Sequence, residues 1–165
     1  MAETHVKGLA ELQKFMDELT PKIERNVMRG ALRAGMNVVK PVAQANARKA
    51  SGVYSAGLKI STRARGGTVT ASLKATGPHA FLGKWIEFGT RAHNIAAKLG
   101  GWLSFMNVFA KEVAHPGARP FPHMRPALDV QAQNAVIAAA EYMKRRLATK
   151  QGLDTSHITI EGDEP

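Results

Sequence analysis

One carboxylate stands alone in the middle of this chain. Glu87 lies in the aromatic run WIEFGT (Trp85–Thr90), and no other Asp or Glu occurs in residues 25–111. Apolar neighbours favour the protonated form of a carboxyl group, which is the form that a general acid needs. General acid–base catalysis also needs a partner group within reach, and the surrounding sequence offers no second acid. We therefore interpret Glu87 as structural, either paired with Arg119 or Arg125 or accepting hydrogen bonds from backbone N–H groups at a turn.

The histidines are the other residues that could bind a metal or transfer protons. They lack the HExxH spacing of a zinc site, and the chain contains no cysteine, so thiolate sites are excluded. No GxGxxG, Walker or GxSxG motif is present. His115 and His123 could meet, but capping or stacking in a proline-rich loop explains them better than metal ligation. We expect no catalytic residue, no metal and no cofactor, and hence a protein that is not an enzyme. The six histidines are His5, His79, His93, His115, His123 and His157.

The run HPGARPFPHMRPAL (His115–Leu128) lies downstream of WIEFGT and is equally poor in catalytic groups. Its four prolines and one glycine restrict the backbone immediately before an alanine-rich segment that is predicted to be helical. We interpret both runs as structural, because they combine turn-forming residues with aromatic side chains. Together they are expected to fix the fold and the assembly of the protein.

The overall composition indicates one basic domain. The chain has 165 residues, a net charge of +10 and a mean hydropathy of −0.21. Neither a membrane-spanning run nor a signal peptide is recognisable, so we expect a single soluble domain at residues 1–150, made in a cytoplasm. Residues 151–165 contain four acids and no lysine or arginine. We expect them to form an acidic C-terminal tail that is mobile in isolation.

Basic side chains follow one face of the first long helix. Together with Asn37 and Gln44 they recur at steps of three or four residues with no acid among them, which mildly destabilises an isolated helix and favours an anionic partner. The alternatives are a solvated face, contact with DNA, or contact with an acidic face of a neighbouring subunit. We predict that this face meets protein. This basic stripe consists of Lys22, Arg25, Arg29, Arg33, Lys40 and Arg48.

Apolar residues at helical spacing predict three helices. They cover residues 8–19, Pro21 to about Ala50, and Pro126 to about Lys150. Pro41 is expected to kink or break the second helix, because proline removes one backbone hydrogen bond and clashes with the preceding turn. Leu128 is expected on the inner face of the last helix.

The middle of the chain has the alternation of β-structure. Leu58–Ala64 and Thr68–Ala75 alternate on either side of Gly66–Gly67, which predicts a β-hairpin. Residues 79–88 fit a third strand or a short helix, and their apolar spacing is closer to a helix. Trp102–Val113 fit a strand pair or a short helix. The fold class is therefore α+β: a long N-terminal helix and a C-terminal helix packed on a small antiparallel sheet, with a protruding hairpin and a long interface loop.

The motifs in order resemble the tailed-phage family named after gene product ten of phage Hong Kong 97. The resemblance runs from about residue 6 to 149, although KASGVYSAGL lacks the proline and threonine-glycine that usually precede the hairpin in that family. The motifs that carry it are Gly8–Leu12, the long helix, Ser51–Ile60, Trp85–Thr90, Trp102–Phe105, His115–Gly117 and Pro120–Leu128.

This resemblance implies a virion structural protein of the tail or neck, assembled in the host bacterial cytoplasm. Such a tail-completion or head–tail joining subunit would form a homo-oligomeric, hexameric ring around the DNA channel. Its partners would be a stopper, adaptor, tail terminator or tail tube protein, with nonspecific contact to the passing genome and none to a membrane. The expected structural and assembly residues are Trp85, Glu87, Phe88, Gly89, Thr90, Trp102, Phe105, His115, Pro116, Gly117, Pro120, Phe121, Arg125 and Pro126.

Two alternatives remain open at this point. The chain could instead be a tail terminator that caps the tail tube. It could also be a nonspecific DNA-binding protein that uses the basic stripe, since phosphate contacts need no sequence-reading module.

Overall fold

The computed structural model describes residues 6–47, 52–105 and 108–162. In this part of the chain the helices are α1 (Leu9–Asp17), α2 (Pro21–Asn46), α3 (Val53–Ala56), α4 (Leu82–Phe88) and α5 (Met124–Gln151), with a 3₁₀ turn at Lys98–Gly100. The strands are β1 (Leu58–Arg65), β2 (Thr68–Ala75), β3 (His93–Ala96), β4 (Leu103–Phe105), β5 (Val108–Ala110) and β6 (Glu112–His115). The predicted α+β class is confirmed.

The chain divides into two compact units. The first contains the described residues up to Ala80 and from His123 onward, and the second is Phe81–Pro122. Unit 1 therefore holds the long helices and the β1–β2 hairpin, whereas unit 2 holds α4 and the strands β3–β6. No helix among the described residues is both long and apolar enough to cross a bilayer.

Helix α2 is the central element of unit 1, because it packs against α5, β1 and β2. Thr20 is extended, and Pro21 occupies the first helical turn, where its missing N–H costs nothing. Pro41 does not end the helix, which continues to Asn46. A proline in a helix interior costs roughly 3 kcal/mol, and packing of α2 against α5, β1 and β2 outweighs that cost. The buried line of α2 is spaced by four residues: Val27, Ala31, Gly35, Val39 and Ala43.

The main core of unit 1 joins the two ends of the chain. Leu12 and Met16 of α1 pack with Val27 of α2, with α5 and with Ile158 near the C-terminus. Ile158 is only 2% exposed, and its carbonyl oxygen accepts a hydrogen bond from Lys144 Nζ at 2.6 Å. The expectation of a mobile acidic tail is therefore wrong for the described residues up to Gly162, because apolar residues within that segment are drawn into the core.

The predicted β-hairpin is confirmed. Strands β1 and β2 pair antiparallel from Leu58↔Ala75 to Arg65↔Thr68. Gly66 and Gly67 at the turn have φ of 55° and 77°, values that favour glycine and match the right-handed twist of a two-residue hairpin. Leu58 is fully buried, so the base of the hairpin is anchored in unit 1.

The structure of unit 2 decides between strand and helix for the two segments whose sequence allowed either. Residues Leu82–Phe88 are helical rather than extended. Trp102–Val113 contain strands rather than a helix: β4 pairs with β5, and β6 pairs back to β3. These pairings turn the long loop expected near residues 89–118 into a β-arm.

Candidate assembly surfaces

Helix α4 buries Glu87 and exposes its aromatic neighbours. Glu87 is 5% exposed and shares the buried face of the helix with Gly83, four residues earlier. Trp85 and Phe88, by contrast, are 50% and 60% exposed. The helical periodicity thus separates the carboxylate from the aromatic side chains that flank it in sequence.

Backbone hydrogen bonds join the two motifs that the sequence singled out. Helix α4 ends at Gly89, where φ is 70° and the Gly89 N–H donates to the Trp85 carbonyl oxygen at 2.8 Å. Thr90 and Ala118 exchange a pair of backbone hydrogen bonds of 2.9 and 3.1 Å. The Phe121 N–H donates to the Ile86 carbonyl oxygen at 2.6 Å. WIEFGT and HPGARPF therefore form one structural element.

This element is the root of the arm, which we define as residues 90–105 and 108–118. Pairing runs in one register from Thr90↔Ala118 through His93↔His115 to Ala96↔Glu112, and the Ala97 N–H, which donates to the Lys111 carbonyl oxygen at 2.9 Å, extends it by one residue. After the 3₁₀ turn at Lys98–Gly100, a second strand pair runs from Leu103↔Ala110 to Phe105↔Val108 in a different register. The arm is therefore a ribbon of two successive antiparallel strand pairs.

Two histidines lie together at the root of the arm. The His115 Nδ1 atom accepts a 3.0 Å hydrogen bond from the Gly117 N–H, which agrees with the capping expected from the sequence. The His115 ring lies 5.0 Å from the His93 ring across the strand pair. His123 belongs to unit 1, where it is fully buried and hydrogen-bonded to Tyr54. No cluster of three His, Cys, Asp or Glu side chains within the described ranges could hold a metal ion.

The outer half of the arm exposes apolar side chains. We define the arm tip as Trp102, Phe105, Val108 and Phe109, which are between 62% and 75% exposed. Lys111 Nζ lies 5.5 Å from the Trp102 ring centroid, a cation–π contact that holds the indole in place. Large apolar side chains grouped in this way on a protein surface mark an interaction surface.

The basic stripe is exposed along the first half of α2. Lys22, Arg25, Arg29 and Arg33 are exposed, and Lys40 is half-buried. Arg48 lies outside the described residues. Arg25 Nε donates to the Pro21 carbonyl oxygen at 3.0 Å, and none of the four exposed cations pairs with a carboxylate in the part of the chain that the structure describes. Their charge remains available to a partner.

An apolar groove in unit 1 was not predicted from the sequence. It has a volume of about 710 Å³ and lies between α2, α5 and β2, with Leu9 of α1 at one side. Met28, Met36 and Met143 contribute flexible thioether side chains to its lining. Leu128 lines the groove and is 47% exposed, so its predicted place on the inner face of the last helix is wrong.

The predicted assembly residues are divided between the two units. The members that lie in unit 2 are Trp85, Glu87–Thr90, Trp102, Phe105, His115–Gly117, Pro120 and Phe121. Arg125 and Pro126 lie in the first turn of α5, in unit 1. The structure thus brings most of the set together around one arm, and their roles in assembly stay a prediction.

Comparison with known proteins gives one match. Residues 10–89 match the model of the family described as "Bacteriophage HK97-gp10, putative tail-component". The matched segment runs from α1 through the β1–β2 hairpin to Gly89 at the end of α4. No curated protein and no solved structure matches the chain. The resemblance drawn from the motifs is confirmed over this segment, which is just under half of the chain, and the likeness is to a phage tail-component family.

Proposed function

We propose that this chain, whose residues 10–89 match a phage tail-component family, is a tail-completion or head–tail joining subunit. Copies of it assemble as a ring around the DNA channel and connect the tail to the head. Its partners in the virion are other neck or tail proteins. No step in this role requires catalysis, because the work of such a subunit is assembly.

The arm carries this proposal. A subunit of a ring must contact neighbours on two sides, and its contact surfaces are apolar at their centres and rich in aromatic residues. Trp102, Phe105 and Phe109 meet that description at the end of a ribbon whose root is fixed by backbone hydrogen bonds. Buried aromatic anchors typically dominate the free energy of such interfaces.

The experiment is a gene disruption in a phage that encodes this chain, followed by electron microscopy of the lysate. DNA-filled heads and separate tails of normal length are the expected products, and supplying the intact chain from a plasmid restores joined particles. Joined, infectious particles without the chain would contradict the proposal. Tails of irregular length would instead indicate a tail terminator.

The exposed cations of the basic stripe suit two kinds of partner, duplex DNA and an acidic protein surface; contact with duplex DNA would give a second function, nonspecific DNA binding. Arg29 and Arg33 lie one turn apart on the exposed face of α2. We propose that they face an acidic protein surface in the virion, since attraction to phosphates would hinder DNA that must slide through a channel. The double variant Arg29→Glu with Arg33→Glu is then expected to block joining while leaving the protein folded.

Duplex DNA titrations separate the two functions. Binding whose affinity falls steeply with salt, and whose salt slope decreases by roughly two phosphate contacts in the double variant, would support DNA binding instead. Lys14→Glu with Lys150→Glu, two exposed lysines away from the stripe, is the matched control with the same change of net charge. Normal joining by the Arg29→Glu, Arg33→Glu chain would show that the stripe is merely solvated.

A further inference from the structure

The groove and the arm tip are complementary surfaces on the same chain. The groove belongs entirely to unit 1, and sixteen residues line it. Asp129 is the single charged side chain among these described lining residues, and it is exposed. The arm tip is apolar and is accompanied by the exposed cations Lys98 and Lys111. Apolar surface thus matches apolar surface, and the charges at the margins are opposite.

The arm tip exposes enough apolar area to form a large part of an interface. An aromatic side chain buries roughly 150–250 Å² when it is fully enclosed. With three aromatic side chains and one valine at 62–75% exposure, the arm tip can bury on the order of 500 Å² of apolar surface. A standard interface buries about 800 Å² per partner. The arm tip therefore supplies more than half of one side of such an interface.

We propose that the groove of one subunit receives the arm tip of a second copy of this chain. The inference rests on the proposed ring and adds to it the contact that holds neighbours together. Because the arm tip and the groove are different surfaces, the contact is heterologous: each copy offers an arm to one neighbour and a groove to the other. Repetition of such a contact closes into a ring when the rotation between copies allows it.

The methionines of the groove suit this role. Met28, Met36 and Met143 can adjust to the shape of inserted aromatic rings, and sulfur–aromatic contacts are favourable. Asp129 at the groove is positioned to meet Lys98 or Lys111 of the incoming arm, which sets the direction of insertion. The basic stripe lies outside the residues that line the groove.

The test uses two variants of the full chain. Phe105→Ser with Phe109→Ser disables the arm, and Ala132→Glu places a charge in the groove, which Ala132 lines. Matched controls are Val53→Ser with Val130→Ser, two other exposed apolar residues, and Ala148→Glu, an exposed alanine on the same helix. Sedimentation over a concentration series gives the oligomeric state, and circular dichroism melts confirm folding. If Ala132→Glu does not fold, Thr70→Glu at an exposed lining position replaces it.

Each disabling variant alone is expected to associate at least roughly 100-fold more weakly than the unaltered chain, since it removes central anchors of the interface. The two controls should assemble normally. An equimolar mixture of arm and groove variants retains one intact arm and one intact groove, so it should form a two-subunit species and nothing larger.

Two results would overturn the inference while leaving the ring itself intact. They are normal assembly by either disabling variant, and a mixture that stays monomeric at every concentration. The last result would also fit an arm that occupies the groove of its own chain. A monomeric unaltered chain would contradict the proposed function rather than the arm–groove contact alone.

Discussion

Gly117 shows how single residues fix the root of the arm. Its φ of 87° is accessible to glycine but strained for other residues. A methyl group at this position would also overlap the Thr90 carbonyl oxygen, which accepts the hydrogen bond from the Ala118 N–H. Two independent constraints therefore require glycine in the HPG turn.

Replacing Gly117 by alanine is expected to loosen the arm without unfolding unit 1. The strained backbone costs about 1–3 kcal/mol, and the overlap with Thr90 weakens the first rung of the ribbon. Amide hydrogen exchange should show the Ala118 and His93–Ala96 amides exchanging at least roughly tenfold faster.

Gly66→Ala is the matched control, because Gly66 also has a positive φ but has open space around it. Its effect should be confined to the tip of the β1–β2 hairpin. Unchanged protection of the arm in the Gly117 variant would show that the turn does not hold the root.

Glu87 illustrates the limit of reading chemistry from neighbours in sequence. Its apolar neighbours suggested a carboxyl group in an apolar setting, and the carboxyl group is indeed buried. Trp85 and Phe88, however, are exposed, because residues adjacent in a helix lie about 100° apart around its axis. Burial of Glu87 therefore results from the helical face that it shares with Gly83.

At the scale of elements, the packing of α2 on α5 depends on close approach of their backbones. Gly35 is buried, and a methyl group there would lie 2.6 Å from the Ala135 carbonyl oxygen. At Gly30 the added methyl would instead overlap the side chain of Tyr142, which is half-buried and can rotate away. The first obstacle is rigid backbone, and the second is a movable ring.

Gly35→Ala is therefore expected to destabilise the protein despite its better helix propensity. In an exposed helix the change would stabilise by about 1 kcal/mol. Here the two helices must separate, at a net cost of roughly 1–3 kcal/mol measured by denaturant unfolding. Gly30→Ala should cost less, because the Tyr142 ring can move. A Gly35→Ala chain more stable than the original would show that the helices are not held at this distance.

Local patterns predicted some elements well and others not at all. The β1–β2 hairpin followed from alternation around Gly66–Gly67, since both signals lie within one short segment. The buried face of α5 could not be predicted in this way, because the helix is rich in alanine and its apolar residues are spread around it. Leu128 therefore gave no guide to which side was buried. The pairing of β3 with β6 joins segments about twenty residues apart, and nothing in either strand specifies the partner.

The groove was missed for a related reason. It requires side chains from four separate elements, and the sequence indicates each element but not the space between them. Met28 and Met36 lie on α2 among other apolar residues, and helical spacing alone does not separate methionines of a core from methionines of an adaptable binding surface. The arm tip was easier to anticipate, because Trp102, Phe105 and Phe109 stand in one exposed segment.

At the scale of the whole molecule, the surface that carries charge is different from the surfaces that are apolar. The net charge of +10 is carried partly by the basic stripe on α2, whereas the arm tip and the groove are apolar. Long-range attraction by the stripe can guide encounter with an acidic partner, while the apolar surfaces hold copies together. The two kinds of contact should respond differently to salt, since ion screening weakens only the first.

The mass and shape of the purified chain test the central claim most directly. Sedimentation at rising concentration, combined with negative-stain electron microscopy, distinguishes a closed ring from other states. If the chain forms the proposed ring through apolar contacts, one discrete species of roughly six 17.8-kDa chains with a central opening is expected. The population of this species should persist in high salt. A monomer at every concentration, or filaments of unlimited length, would contradict the proposed ring.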